Sequence, residues 1–315
     1  MLWRAVLIAA VGLGFCGAEA AELEYRYSAE AGVEYASGLR HDHDDNFETP
    51  PVRLKDFRYT FELSAGASYT TDQFRLNTSY TFDQRTYEDY NIFHRRRHDA
   101  IFEATTDVFY DIALSLRYRY RRSLPEGVVG TIESDQLRIR AAFPEFSYAP
   151  ARLRIRSSAY SLWQSTDFHK LRFLDANSWE AGSNFTFIPL SDNWTAQFGV
   201  TYGLWNARFE NFSNSYVDVS FGLSSNRPEF FADSWIGGFG LELDLGYREE
   251  WYEGLTSDTG GQRRDRVSSI ELTASQPWTE RLSGFSRAGF DDHESNWVGE
   301  NFDEVQVTLG MRWAY

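Results

Sequence analysis

The chain has 315 residues, 17% of them aromatic, a formal charge of -15 and a single cysteine. So aromatic a composition excludes a disordered acidic chain. Beyond residue 20 no apolar run reaches the ~18 to 20 residues that carry a helix across a bilayer, and the acidic balance gives no general attraction to nucleic acid.

In chain order, residues 1–20 read as a secretory signal: Arg4 in a short n-region, an apolar stretch from Ala5 to Phe15, and the small-x-small site Ala18-Glu19-Ala20. The only cysteine, Cys16, leaves with it, so residues 21–315 are expected to form one thiol-free mature domain. From there the dominant period is two. Leu23, Tyr25, Tyr27, Ala29, Ala31, Val33 and Tyr35 alternate with polar residues, and so do Phe57, Tyr59, Phe61 and Leu63, then Ile112, Leu114, Leu116, Tyr118 and Tyr120. The last of these patterns, Val305, Val307, Leu309, Met311, Trp313 and Tyr315, runs to the final residue. Each is a strand with one apolar face.

Fourteen strands are expected, centred on 22–36, 56–69, 73–83, 99–110, 112–122, 135–148, 152–164, 178–188, 194–206, 216–225, 236–250, 266–276, 281–290 and 303–315. Several exceed the ~9 to 11 residues a tilted strand needs to cross hydrocarbon. Tight links such as 70–72, 110–111 and 149–151 alternate with longer charged ones such as 39–55, 84–98 and 123–134, while the link 226–234 is longer than its place in the series predicts. A soluble sandwich would explain the alternation but not the strand length, since sandwich strands average ~5 to 6 residues. The expected fold is therefore all-β: a transmembrane antiparallel up-and-down barrel of about fourteen strands, with twelve or sixteen as alternatives. In lipid only a closed sheet pairs every backbone group of a strand.

Together, the signal segment, the alternating final strand with Met311, Trp313 and Tyr315, and the cysteine-free mature chain resemble Gram-negative outer-membrane β-barrel proteins. By size the chain is similar to monomeric porins of about fourteen strands. That resemblance implies a location in the cell outer membrane, contact with its lipid and lipopolysaccharide, and assembly by the barrel-assembly machinery. Met311, Trp313 and Tyr315 would be its signal.

With apolar faces toward lipid, alternate positions line the lumen. Arg117, Arg119 and Arg121, then Arg138 and Arg140, then Arg152, Arg154 and Arg156 would form one basic wall. Elsewhere the inward positions carry Glu30, Glu34, Glu62, Glu103, Asp107, Glu242, Asp244 and Glu271. Opposed walls of this kind select and orient polar solutes, and the guanidinium fork matches carboxylate and phosphate groups. Inward small residues, among them Gly182, Gly199, Gly203 and Gly310, are expected to leave the lumen open. Pro144 interrupts the parity between Phe143 and Phe146, which predicts a bulge. Most tryptophans should form interfacial girdles, with Trp163 and Trp205 the candidates for solute contact.

The leading expectation is a channel for passive diffusion of small polar, including anionic, solutes. The alternatives are an export or assembly pore for an extracellular polysaccharide, a non-conducting structural or adhesion barrel, and a barrel enzyme. His41, Asp42, His43, Asp44, Asp45 and Glu48 could hold a metal but lack a recognised spacing, and Arg95, Arg96, Arg97 and His98, like Arg263, Arg264 and Arg266, read as loop charge. Asp42 with His43 and Asp292 with His293 are the only acid–base pairs suggested for catalysis, no nucleophile elbow or zinc motif accompanies them, and no cofactor is called for.

Overall fold

The computed structural model describes residues 22–41, 52–71, 74–89, 94–109, 112–125, 131–148, 152–189, 194–225, 239–256, 261–297 and 301–315. The expected signal segment, the acidic residues after His41 and the tips of several long loops lie outside the described residues.

Strands account for almost all of what is described, and no α-helix occurs among these residues. They are β1 (Glu22–His41), β2 (Val52–Thr70), β3 (Phe74–Tyr87), β4 (Arg95–Phe109), β5 (Ile112–Pro125), β6 (Ile132–Ala142), β7 (Phe146–Tyr148), β8 (Leu153–Phe168), β9 (Ala176–Pro189), β10 (Trp194–Ala207), β11 (Asn214–Ser225), β12 (Gly240–Thr256), β13 (Gln262–Pro277), β14 (Leu282–Ser295) and β15 (Phe302–Ala314). Apart from β6 and β7, which do not pair with each other, consecutive strands pair antiparallel; β1 pairs with β15 and β6 with β8, so the sheet closes. The short β7 continues β6 along β8, and the barrel therefore has fourteen walls. Closure includes the last residue, for Tyr315 and Tyr27 exchange backbone hydrogen bonds of 2.9 and 3.0 Å.

The pleat sorts the side chains. Among the described residues the buried apolar set is only Ala36, Tyr87, Ala176, Tyr216 and Phe285, whereas Phe57, Ile139 and Leu309 are 50%, 50% and 63% exposed. A soluble fold would bury such residues; a continuous outward apolar belt with paired backbone is a membrane-spanning wall. Aromatic residues rim the belt. Tyr25, Tyr148, Trp278, Trp313 and Tyr315 are exposed near the short-turn end, and Phe57, Trp163 and Trp179 toward the other.

The strands outrun their expected bounds mainly at the long-loop end: β1 pairs with β2 up to His41 and Val52, and β4 begins at Arg95. Their polar upper residues continue the ladder because water, unlike lipid, tolerates any side chain there. The link after β11 falls at the short-turn end, and 226–238 lie outside the described residues.

Pro144 does interrupt the wall. Between the pairs Ala142–Ser158 and Phe146–Ile155, three residues (143–145) face two (156–157). Proline has no N–H for the ladder, so the chain bulges there, and the extra residue inverts the parity. Phe146 and Tyr148 thereby return to the lipid face, and Glu145 is carried to the inside.

Candidate functional site

The barrel interior is the candidate site. It is built of inward positions at every second residue, and cross-strand register decides which of them meet. Of the eight arginines expected on the basic wall, seven stand on strands with inward parity. Arg152 does not: it lies in the turn before β8 with φ of 48°, exposed and off the ladder. The left-handed conformation reverses the chain there and precedes the strand that would have aimed the side chain inward.

The remaining seven differ in how they are compensated. Arg117 donates two hydrogen bonds to Glu103, at 2.6 and 3.0 Å. Arg119 and Arg121 share Asp99, with the Arg119 Nε 2.8 Å from its Oδ1 and Arg121 3.3 Å from its Oδ2. Arg156 donates to Glu145 at 2.8 Å, and Arg154 stands 4.0 Å from the same carboxylate. Arg138 lies over the Tyr160 ring, 4.0 Å from its centroid. Among the described residues neither Arg138 nor Arg140 has a carboxylate within ion-pair distance, and the Nε of each lacks a hydrogen-bond acceptor.

Two arginines that read as loop charge belong to this wall. Arg95 and Arg97 stand on β4 and, with Arg85 of β3, surround Asp83 at 3.6 to 3.9 Å. Their neighbours Arg96 and His98 take the opposite, outward parity, and His98 shares a 2.6 Å hydrogen bond with Tyr80. Arg263, Arg264 and Arg266 are likewise on β13. Arg263 faces inward, 2.6 Å from Asp265, while Arg264 and Arg266 face outward and share Glu249. Strand parity was the missing signal in each case, since charge alone marks a loop only where no aqueous lumen exists.

The expected acidic positions are inward as well. Glu30 binds Arg312 at 2.8 Å, Glu34 pairs with Arg58, and Glu271 stands 3.2 Å from Arg287. Glu62 sits directly between Glu30 and Asp83 in the register, and Asp244 lies opposite Glu271 with Glu242 two residues away. Asp107 remains exposed near the short-turn end of β4. Register brings Arg117 opposite Arg138. Seven steps round the ring from β5 stands β13, which places the acids of β12 and β13 across the lumen from the arginines of β4 to β6. Depth agrees: Arg117 is five residues above Ile112, the foot of β5, and Asp244 four above Gly240, the foot of β12.

The inward glycines serve rings more than solute. A Cβ on Gly182 would lie 2.7 Å from the Tyr160 ring, on Gly203 2.2 Å from Tyr216, and on Gly310 2.5 Å from Phe285. Each glycine is a seat on which a neighbouring aromatic lies flat against the wall. Tyr160 also shares a 2.6 Å hydrogen bond with Thr201, and Tyr216 donates to Glu180 while Arg248 covers its ring at 4.7 Å. The space these glycines leave is filled, which corrects their reading as open lumen. Trp163 is corrected too: it is 45% exposed on the outward face, whereas Trp205 keeps inward parity near the long-loop end.

One of the two acid–base pairs loses its geometry. Asp292 and His293 are successive strand residues and so point to opposite faces of the sheet, with His293 stacked on Phe302 at 4.3 Å. Asp42 and His43 lie outside the described residues.

Neither a protein-family model nor a curated protein sequence matches the chain. Solved structures do. An anion-selective porin from Comamonas acidovorans aligns over 94% of this chain and 100% of its own with a TM-score of 0.50 at 8% identity. The outer-membrane protein opdK from Pseudomonas aeruginosa aligns over 93% and 99% at 0.45 and 10%, and a BenF-like porin from Pseudomonas fluorescens over 93% and 99% at 0.46 and 8%. The closed antiparallel barrel, its outward apolar belt and the similarity in fold to the Comamonas protein agree: the fold is that of an outer-membrane porin barrel.

Proposed function

We propose that the protein is an outer-membrane channel through which small polar solutes, anions included, diffuse passively. The observation that carries this reading is the state of the inward charges. Arg117, Arg119 and Arg121 are ion-paired yet keep 36%, 30% and 33% of their side-chain surface exposed, and Arg156 keeps 60%. In a lumen plugged by its own side chains such groups would be enclosed; a fourteen-strand ring is wide enough to leave water between its walls. Opposed basic and acidic walls then impose a transverse field that orients a polar solute in transit.

In this reading residues 1–20 direct export and are removed, and the short turns face the periplasm with the long loops outside. Met311, Trp313 and Tyr315 present the assembly signal on the last strand, and the outward belt contacts lipid and lipopolysaccharide. The opposed charged faces of the lumen support transport. The anion selectivity named for the Comamonas porin supports an anionic preference for the arginine wall.

Reconstitution in planar bilayers tests this directly. Steady single-channel conductance in potassium chloride, with a reversal potential that moves toward cation selectivity when Arg138 and Arg140 become glutamate, is the expected result. Folded protein that inserts without conducting overturns it.

A further inference from the structure

We propose that the recess at the Pro144 bulge is a binding station for a compact oxyanion, a carboxylate or a phosphate, and that Glu145 is a tethered competitor for it. The station rests on the channel reading given above. A cavity of about 450 Å3 opens where the wall bulges, lined by Arg140, Arg156, Ser158, Asn184 and Thr186 together with the bulge itself. These five side chains share the inward parity of β6, β8 and β9, so the cavity is a widening of the lumen wall.

The chemistry of the recess is unbalanced. Arg140 contributes a guanidinium with no carboxylate partner among the described residues, and its Nε is shielded from solvent without an acceptor. A shielded donor left unsatisfied costs free energy that an incoming oxygen acceptor returns. Arg156 lies across the same cavity, and the serine, threonine and asparagine beside them offer neutral donors that fit an oxyanion's remaining lone pairs.

Glu145 shows what the recess takes. Pro144 prevents ladder pairing, the extra residue turns Glu145 inward, and its carboxylate rests on Arg156 at 2.8 Å and within 4.0 Å of Arg154. It is the chain's own oxyanion at one edge of the cavity. A solute carboxylate or phosphate bridging Arg140 and Arg156 would compete with it for the second guanidinium, so Glu145 sets how weakly the station holds its ligand. A transport site needs such weakness, because binding must permit release.

The test is block of single-channel potassium chloride current by sodium acetate and, separately, by sodium phosphate, the two arms distinguishing carboxylate from phosphate as the preferred ligand. Arg140→Gln is expected to raise the half-blocking concentration of the preferred anion about tenfold, and Glu145→Gln to lower it severalfold. Arg312→Gln, which removes the same charge from a distant wall, is the control. Equal shifts in Arg140→Gln and Arg312→Gln, or no gain in Glu145→Gln, overturn the station and leave the channel standing. Should Arg140→Gln fail to fold, Asn184→Leu serves in its place, with weaker block expected and unchanged block refuting. A barrel that does not conduct is assayed by titration calorimetry in detergent with the same anions: Arg140-dependent binding then retains the station and removes the transport reading, and absence of binding removes both.

Discussion

The two charged walls of the lumen are made by the same device and differ in which sign is in the minority. From β3 to β8 arginines outnumber carboxylates, and three of the carboxylates serve more than one cation: Asp83 faces Arg85, Arg95 and Arg97, Asp99 holds Arg119 and Arg121, and Glu145 holds Arg154 and Arg156. On the far wall the proportion reverses, and one arginine serves two acids, as Arg248 does for Asp218 and Glu250. The minority charge acts as mortar. It relieves repulsion between like neighbours ~4.8 Å apart on adjacent strands, and the uncompensated remainder includes Arg138 and Arg140 on one side and the Asp244 region on the other.

The largest test of that comparison is removal of a minority arginine from the acidic side. Arg58 and Glu34 form an ion pair with side chains only 5% and 7% exposed, and Tyr87 accepts from Arg58 at 2.7 Å. Arg58→Ala strands a buried carboxylate and is expected to cost about 3–5 kcal/mol. Urea unfolding in lipid vesicles reads the loss, and Glu34→Gln in the same chain should recover part of it.

Next is a change that sets lumen against lipid on the basic wall itself. Leu116 is 43% exposed on the outward face beside the inward Arg117. Leu116→Arg presents to hydrocarbon the side chain that its neighbour presents to water, and should destabilise the folded barrel by roughly 2–4 kcal/mol at mid-membrane depth. The same unfolding assay measures it; a cost near zero would mean that this face does not meet lipid.

Removing a minority acid should be milder. Asp99→Asn leaves Arg119 and Arg121 without their shared counter-charge, at about 1–3 kcal/mol and toward the lower end because both guanidiniums keep roughly a third of their surface in water. The variant should also shift the reversal potential toward anions. The smallest effect on stability is expected from Asp244→Asn with Glu271→Gln, which lessens the acidic surplus with little effect on unfolding. Its readout is a reversal potential moved in the same direction, and an unchanged potential would show that the far wall does not contribute to the field.

Much of the barrel was legible in the chain because the pleat imposes period two on every strand. The fourteen walls and the aromatic final strand follow from alternation, which also sets the shared parity of Arg117, Arg119 and Arg121, of Arg138 and Arg140, and of Arg154 and Arg156. Composition misleads where it conflicts with parity. The charge of Arg95 and Arg97 suggests a loop, yet both stand on β4, because a strand whose inner face meets water accepts charge. Gly182, Gly203 and Gly310 suggest empty volume by their size, yet the rings of Tyr160, Tyr216 and Phe285 occupy it from the adjacent strand.

Alternation in the sequence therefore determined which face of each strand meets lipid, because side-chain direction along a strand is a local property of the backbone. Tertiary structure alone decided which charges remain unspent. Partners across the ladder are chosen by register and not by distance along the chain: Glu34 meets Arg58 from the neighbouring strand, Glu30 meets Arg312 across the closure of the barrel, and one extra residue at Pro144 turns Glu145 onto Arg156. Register is set by the whole closed sheet, so no single segment contains it.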